Sequence, residues 1–457
     1  MRTDKGSGME CRQGKERDDG SMMTVNEVEA VGKSRRAVGV IGLGYVGLPL
    51  AMEFCRCGFD VQGVDLAIER VALLAEGRSY IDDVSDAEVD EQVSAGRLHV
   101  SSDYSSLKDA QAVSVCVPTP LRKTKTPDMS YVVEAAKEVA GILKRGQLIV
   151  LESTVYPGAT EELIAPLLQR SGLEVGKDFY LAFSPERVDP GNREFGLRDI
   201  PKVVGGVTPQ CTQRAVELYR EVFAEVIPLE STREAEMAKL LENTFRAVNI
   251  GLINELAVSA HKMGIDIWNV IAAAKSKPFG FMAFYPGPGL GGHCIPIDPM
   301  YLLWKAKHLG TATHFIEIAD KVNTQMPAYV VERTAELLNR AGKPLKDSRI
   351  LVLGVAYKAN VNDVRESPAL DVIELLEQRG AKVAYNDPHV PIVELEGRTL
   401  ASQAVSGELL AAQDCVIVIT GHSVYDWEFI AQNARLVFDT RNATFAIVDR
   451  YTNISRL

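Results

Sequence analysis

The stretch Ala37-Val38-Gly39-Val40-Ile41-Gly42-Leu43-Gly44-Tyr45-Val46-Gly47 limits the possible folds of this chain more than any other. A short apolar run enters three glycines spaced G-x-G-x-x-G. Leu48–Arg56 then carries apolar residues at helical spacing, and the segment from Gly58 to Asp65 reads as a turn and a second strand. Strand, glycine turn, helix and strand make a βαβ unit. Glycines here let the backbone turn tightly and approach a pyrophosphate, whose charge then faces a helix N-terminus. Asp65, closing the second strand, is positioned to accept hydrogen bonds from ribose hydroxyls and to repel a 2′-phosphate, so the pattern favours NAD over NADP. Arg70 lies within reach of the adenosine side, a solvated helix arginine being the alternative.

The same alternation continues. Ala112–Val117, Leu148–Glu152 and Tyr180–Phe183 read as strands, with helices over Tyr131–Leu143 and Thr160–Arg170, so residues 36–230 predict a parallel, doubly wound sheet. From Thr232 to Met263 the pattern is nearly unbroken helix without proline. It predicts a spine for a central helical region, residues 231–335, whose apolar face serves either a subunit interface or burial within one subunit. After Pro344 the chain begins again. Arg349–Gly354 is a strand entering a glycine, Pro368–Arg379 a helix, and Gly380–Asp387 a turn and strand. Gly380, Val383 and Asp387 repeat the relative spacing of Gly58, Val61 and Asp65, and Cys415–Thr420 echoes Ala112–Val117. The fold class expected is α/β: two Rossmann-like doubly wound domains joined by a long central helix. The second, residues 336–457, lacks G-x-G-x-x-G and is expected to bind a different ligand.

Composition removes several classes of function. With 457 residues, two or three domains are expected. No run of eighteen apolar residues occurs, which argues against a membrane span. A net charge of −11 argues against a broad nucleic-acid surface while leaving room for a local basic phosphate pocket. Cys11, Cys55, Cys57, Cys116, Cys211, Cys294 and Cys415 are dispersed, as in a cytoplasmic protein with reduced thiols, and lack metal-binding spacing. Cys55 and Cys57 read as packing on a helix. Residues 1–35 are rich in Gly, Ser, Asp, Arg and Lys and have no apolar core, so they read as a disordered extension and not a secretory signal.

Cys294 sits in Gly291-Gly292-His293-Cys294-Ile295-Pro296-Ile297-Asp298. A lone cysteine is usually a small buried hydrophobe. After a Gly-Gly pair and before Pro and Asp, it instead predicts backbone room for a substrate and a polar neighbourhood. A thiolate there captures the aldehyde that forms when a nicotinamide removes hydride from an alcohol, and so carries the alcohol on to the acid. Lys239 and Asn243, four residues apart, share one face of the long helix.

Val117-Pro118-Thr119-Pro120, Glu152-Ser153-Thr154-Val155, Ser184-Pro185-Glu186-Arg187, Lys239 with Asn243, Gly291–Asp298 and Val364-Arg365-Glu366-Ser367 occur in one order. In that order, from about Ala37 to the C-terminus, the chain resembles the UDP-glucose/GDP-mannose dehydrogenases. Phe279–Gly289 with His293–Pro296 resembles the branch acting on UDP-N-acetylhexosamines, UDP-GlcNAc first among them. The resemblance implies a cytoplasmic, NAD-dependent, four-electron oxidation at C6, supplying a surface polysaccharide, in a homodimer built on the central helix. It makes Cys294 the nucleophile, Lys239 and Asn243 the stabilisers of alkoxide charge, and Asp298 with Thr154 the holders of a water. Glu186 becomes a general base for thioester hydrolysis, or mainly a substrate-orienting residue. Gly42, Gly44, Tyr45, Val46, Gly47, Asp65, Arg70, Pro118, Thr119, Thr154 and Arg365 would hold NAD. Glu186, Arg187, Lys239, Asn243, Tyr285, Gly289, Gly291, Lys358 and Arg441 would hold the UDP-sugar. Tyr285 stands where UDP-glucose enzymes carry a phosphate-binding lysine, and Arg187 replaces an apolar residue; both departures disfavour glucose and fit an acetamido group. UDP-GalNAc, UDP-ManNAc and UDP-glucose remain alternatives, as do a two-electron hydroxyacid-type dehydrogenase and a non-catalytic sugar-nucleotide sensor.

Overall fold

Strands β1 (Ala37–Ile41), β2 (Asp60–Val64), β3 (Leu98–Ser101), β4 (Ala112–Val115), β5 (Leu148–Leu151), β6 (Tyr180–Phe183), β7 (Lys202–Gly206) and β8 (Val226–Leu229) form one sheet in the order β3-β2-β1-β4-β5-β6-β7-β8. The computed structural model describes residues 36–81, 83–188, 196–395 and 397–457; the expected amino-terminal extension lies outside them. All neighbours in this sheet are parallel except β6 and β7. Strands β4 and β5 are buried along their whole length, as parallel strands covered on both faces must be. Ile41 pairs with both Val64 and Val115, so the loops after β1, β2 and β4 leave the same edge. The strand order reverses between β1 and β4, and a crevice opens there.

The second sheet holds β9 (Arg349–Leu353), β10 (Lys382–Asn386), β13 (Cys415–Val418), β14 (Val437–Asp439) and β15 (Ile454–Arg456) in the order β10-β9-β13-β14-β15, all parallel. A hairpin of β11 (Ile392–Leu395) and β12 (Arg398–Ala401) stands beside it. The echo seen in sequence is structural. Asp65 accepts the backbone N–H of Leu43 at 2.9 Å, and Asp387 accepts those of Val355 and Ala356 at 2.8 and 2.9 Å. In both halves a carboxylate at the end of the second strand ties down the glycine turn after the first.

Between the sheets runs a helix of 31 residues, Thr232–Lys262, packed along a second of 27 residues, His314–Arg340. The side chain of Ser231 caps the first by accepting from Glu234 N. Glu236 fastens it to the first domain by accepting from the backbone of Gly158 and from both donors of Thr160. The two helices approach closely at Gly251, where a Cβ would fall 3.2 Å from the Ala319 Cα. Just beyond, buried Asn254 donates to Asn323 at 2.9 Å, Asn323 donates to Ala247 O at 3.1 Å, and Gly287 N donates to Asn254 at 2.9 Å. The far end is pinned by Trp268, whose indole N–H donates to Leu457 O at 2.9 Å.

Two expectations need correction. Thr160–Arg170 is not one regular helix: a wide π turn over Thr160–Ile164 leads into a single α turn, Ala165–Leu168, and a 3₁₀ turn, Gln169–Ser171. Pro166 has no N–H to donate back along the helix, and that gap breaks the ladder. The first sheet also extends past the expected strands, through the antiparallel step into β7 and β8. Gly205 and Gly206 permit it, since a Cβ on either would lie 2.0 Å from Ser231 O or 2.2 Å from Thr212 N.

Asn323→Ala strands the amide of Asn254 in a dry helix interface. The expected loss is about 1–3 kcal/mol, read as a lower urea midpoint; an unchanged midpoint would show that the asparagine pair adds nothing to the spine.

Candidate active site

The glycine turn after β1 forms a cradle at the crevice. Gly42 has φ +84°, and a Cβ there would sit 2.6 Å from Cys116 O; one on Gly47 would sit 1.8 Å from Gly42 O. Nothing lies within 4 Å of a Cβ built on Gly44, so that side is open. The helix Gly47–Arg56 starts there, following Val46 and presenting its amide end to the turn. Asp65 is buried and, besides Leu43 N, accepts from Ala67 N at 2.9 Å. The Arg70 guanidinium is 3.7 Å from Asp65 and lies over the ring of Tyr80. After β4, buried Thr119 hydrogen-bonds the Tyr301 hydroxyl and adjoins Pro118; Thr154 follows β5, half-buried.

A cleft of about 360 Å³ lies between the domains and contains Cys294. The long helix supplies its floor with Lys239, Asn243 and Arg246, residues at i, i+4 and i+7 on one face. Arg246 escaped the reading of the sequence, although the spacing marks it. Asn243 Nδ2 donates to Asp298 Oδ2 at 2.6 Å. Asp298 is 2 % exposed, opens the helix Asp298–His308, and donates its backbone N–H to Cys294 O at 2.9 Å. Burial pushes its carboxyl up to about 6, against the pull of the Lys239 ammonium and the Asn243 amide. Burial also raises the Cys294 thiol, the Lys239 charge pulls it down and Asp298 pushes it up, for a net rise. The thiol therefore rests protonated at neutral pH. His293 lines the same cleft, its imidazole held down by burial and by Arg365.

The glycines before Cys294 line the cleft and also face the second domain. A Cβ on Gly291 would lie 2.8 Å from the Tyr357 Cβ and 3.0 Å from Glu366 O; on Gly292, where φ is +84°, it would lie 2.7 Å from the Tyr357 ring. The pair makes room for the second domain, and Gly292 N donates to Arg365 O at 3.1 Å. Gly289, at φ +135°, packs against Pro368 in the same way. The Cys294 loop is thus clamped to the segment carrying Lys358 and Arg365, both of which line the cleft. Arg365 pairs with Asp363 at 2.6 Å and lies 5.1 Å over the Tyr45 ring, joining the second domain to the glycine turn.

The remaining candidates fall as follows. Arg441 lines the cleft beneath Gly287, donates to Ile419 O at 2.9 Å, and is pulled by desolvation down to about 10, still charged at neutral pH. Tyr285 stacks on Trp268 at the cleft's edge, with rings 6.2 Å apart. Arg187 pairs with Glu242 at 2.6 Å, both on the cleft wall. Glu186 is the exception. Its backbone carbonyl accepts from Lys239 Nζ, but its carboxylate turns inward, taking N–H groups of Arg187 and Val188 at 2.6 and 2.8 Å and facing Lys202 at 3.5 Å. A larger cavity of about 810 Å³ adjoins the cleft and shares Gly289, His293 and Arg365 with it.

A doubly wound sheet with a glycine cradle and its carboxylate, beside an interdomain cleft holding a thiol, an ammonium and a carboxyl, defines a nicotinamide-dependent dehydrogenase. Residues 36–223 match the NAD binding domain of the UDP-glucose/GDP-mannose dehydrogenase family, 233–325 its central domain and 351–446 its UDP binding domain. The chain belongs to that family, and its cofactor is NAD. It is 39% identical over 355 residues to the UDP-N-acetyl-D-glucosamine 6-dehydrogenase of Pseudomonas aeruginosa, spanning 77% of this chain and 83% of the relative. It is 35% identical to the NDP-N-acetyl-D-galactosaminuronic acid dehydrogenase of Ralstonia solanacearum over 89% of this chain and 96% of that one. The solved UDP-D-ManNAc dehydrogenase of Pyrococcus horikoshii superposes with a TM-score of 0.82 at 34% identity, covering 92% of this chain and 98% of the other. The protein is a nucleotide-sugar dehydrogenase.

Asp298 carries a measurable cost. Its carboxyl titrates near 3.8 when unfolded and about 6 when folded. The stability it allows is therefore complete below pH 3.8 and is lost as pH rises to 6. The loss is about 3 kcal/mol. In Asp298→Asn that loss disappears, so the stability difference between variant and wild type should shift in the variant's favour between these pH values. Urea midpoints taken across the window check this; a difference independent of pH would contradict it.

Proposed function

We propose that the protein oxidises the C6 alcohol of a UDP-N-acetylhexosamine, foremost UDP-GlcNAc, to the uronate in two hydride transfers. The observation that supports this most is the sharing of one cleft by Cys294, Lys239 and Asn243, with buried Asp298 bonded to Asn243 behind it. Bound NAD accepts the hydride in each transfer. Gly42, Gly44, Val46 and Gly47 would take its pyrophosphate at the helix end, with Arg365 stacked on Tyr45 closing over it. Asp65 and Arg70 would take the adenosine ribose, and Pro118, Thr119 and Thr154 the nicotinamide side.

Lys239 stabilises negative charge on the reacting oxygen, with Asn243 at its side. Asp298 takes the alcohol's proton, directly or through a water shared with Thr154, and its raised pKa suits that work near neutral pH. The aldehyde carbon is captured by the Cys294 sulfur as a thiohemiacetal, the second oxidation leaves a thioester, and water hydrolyses it. Because the Glu186 carboxylate faces Lys202, we assign Glu186 to orienting Lys239 and the substrate, and hydrolytic water to Asp298. The diphosphate would meet Lys358, Arg441 and the Tyr285–Gly292 loop, and Arg187 with Arg246 would meet the sugar.

The long helix leaves Leu241, Phe245, Leu252 and Leu256 between 45% and 58% exposed on one stripe. We infer that two copies pair through it, in the cytoplasm, where the free thiol stays reduced. Leu252→Glu should halve the mass measured by light scattering; a wild type already monomeric would end this inference.

The oxidation is tested by NADH production from UDP-GlcNAc, UDP-GalNAc, UDP-ManNAc, UDP-glucose and GDP-mannose. The expected outcome is fastest turnover of UDP-GlcNAc with two NADH per sugar and the acid as product, and no acid from Cys294→Ala. One NADH per sugar would refute the thiol route, and sugar-nucleotide binding in a calorimeter without NADH would point to a sensor.

A further inference from the structure

Behind the cleft lies a charged cluster of which the proposed chemistry uses only Glu186. Lys202, on β7, is 3 % exposed, and its ammonium bonds Glu152 at 2.5 Å and stands 3.5 Å from Glu186 Oε2. The rings of Tyr219 and Phe223 pack over it at 5.3 and 5.1 Å. The Tyr219 hydroxyl donates to the other oxygen of Glu152, so Glu152 is fully engaged. One carboxylate would neutralise Lys202. The second, Glu186, uses Oε1 for two backbone N–H groups and leaves Oε2 buried with no hydrogen-bond donor among the described residues. The Lys202 charge is what compensates it. Among the described residues Lys202 is the one cation paired with this carboxylate, and a buried ion that loses its counter-charge does not stay in place. Movement of Glu186 carries its backbone carbonyl along, and that carbonyl is the acceptor of Lys239 Nζ.

We propose that Lys202 is a positioning residue for the Cys294 centre, acting through Glu186 to fix the ammonium of Lys239. The inference deepens the proposed function, in which Lys239 is the cation of the reacting oxygen. It links the sheet to the thiol through one ion pair and one hydrogen bond. Four charged groups act on Cys294: Lys239, Asp298, Arg365 and Arg246. Of these, only Lys239 is tied to the Lys202 cluster by the bonds above, so displacing it should raise the thiol directly and, by freeing Asp298 of its pull, alter that carboxyl too.

The test uses the full-length protein without substrate. Iodoacetamide labelling of Cys294 is followed by peptide mass spectrometry from neutral to alkaline pH. Lys239→Met sets the scale, moving the labelling midpoint up by about one pH unit. Lys202→Met should move it up comparably, and Lys202→Arg should restore the wild-type midpoint. Glu186→Gln deletes the carboxylate but keeps the carbonyl; it should also shift the midpoint upward, and it decides the matter where Lys202→Met does not fold. Wild-type midpoints in Glu186→Gln and in folded Lys202→Met, or in Lys239→Met, overturn the proposal. The readout needs no turnover, so a wild type that makes no NADH would sink the proposed oxidation and leave this result standing.

Discussion

An ammonium and a thiol that share one cleft, with a buried carboxyl behind them, set the terms for the rest of this molecule. Lys239 and Asp298 are both under 9 % exposed, and neither would be tolerable there alone. Lys239 sits on a helix rooted in the first domain by Glu236, and Asp298 opens a helix of its own. Cys294 arrives on a loop clamped to the second domain. Three separate parts of the chain must therefore converge within one small volume. The length of the central helix, the glycine pair before Cys294 and the closeness of Tyr357 all follow from that requirement.

The two Rossmann-like halves solve the same backbone problem and then diverge. Asp65 and Asp387 each tie the turn after a first strand. In the first half the turn is open at Gly44, leaving space for a ligand. In the second, Asp387 is fully enclosed: buried His422 bonds it at 3.0 Å and accepts Asn360 N at 2.9 Å through its other nitrogen. That imidazole bridges Asp387 to Asn360 and so ties down the loop that follows Val355. The second half has thus become a rigid mount for Lys358 and Arg365.

Much of this could be read from the chain because local rules wrote it. The glycine turn, Asp65, the echo at Gly380–Asp387 and the Lys239–Asn243 spacing are short-range patterns with short-range causes. What stayed hidden depends on residues far apart in sequence. Lys202 and Glu152 are separated by fifty positions and meet only because β5, β6 and β7 lie side by side. Nothing near Glu186 announces that its carboxylate turns away from the cleft. The glycines before Cys294 read as space for a ligand, and nothing near them announces that Tyr357, more than sixty residues on, is their neighbour as well. Arg246 lies within reach of the periodicity, but charged residues on helices are usually solvated, so spacing alone does not assign it a role.

The charge of the cleft opposes that of the chain. Six basic residues, Arg187, Lys239, Arg246, Lys358, Arg365 and Arg441, line it against one acid, Glu242, while the whole protein carries −11. Cations so concentrated repel one another, and the fold bears the cost by pairing some of them: Arg187 with Glu242, Arg365 with Asp363. Such a field in a low-dielectric slot is strong at the mouth and draws in anions, while the acidic exterior turns them away elsewhere. A diphosphate entering the slot relieves the repulsion that an empty site must bear. The affinity for the nucleotide part then comes largely from charge, which is blind to the configuration of the sugar. On the proposed function, choice among hexosamine epimers would fall to the few groups around Cys294, Arg187 and Arg246, where one hydroxyl's direction can decide whether a buried donor finds its partner.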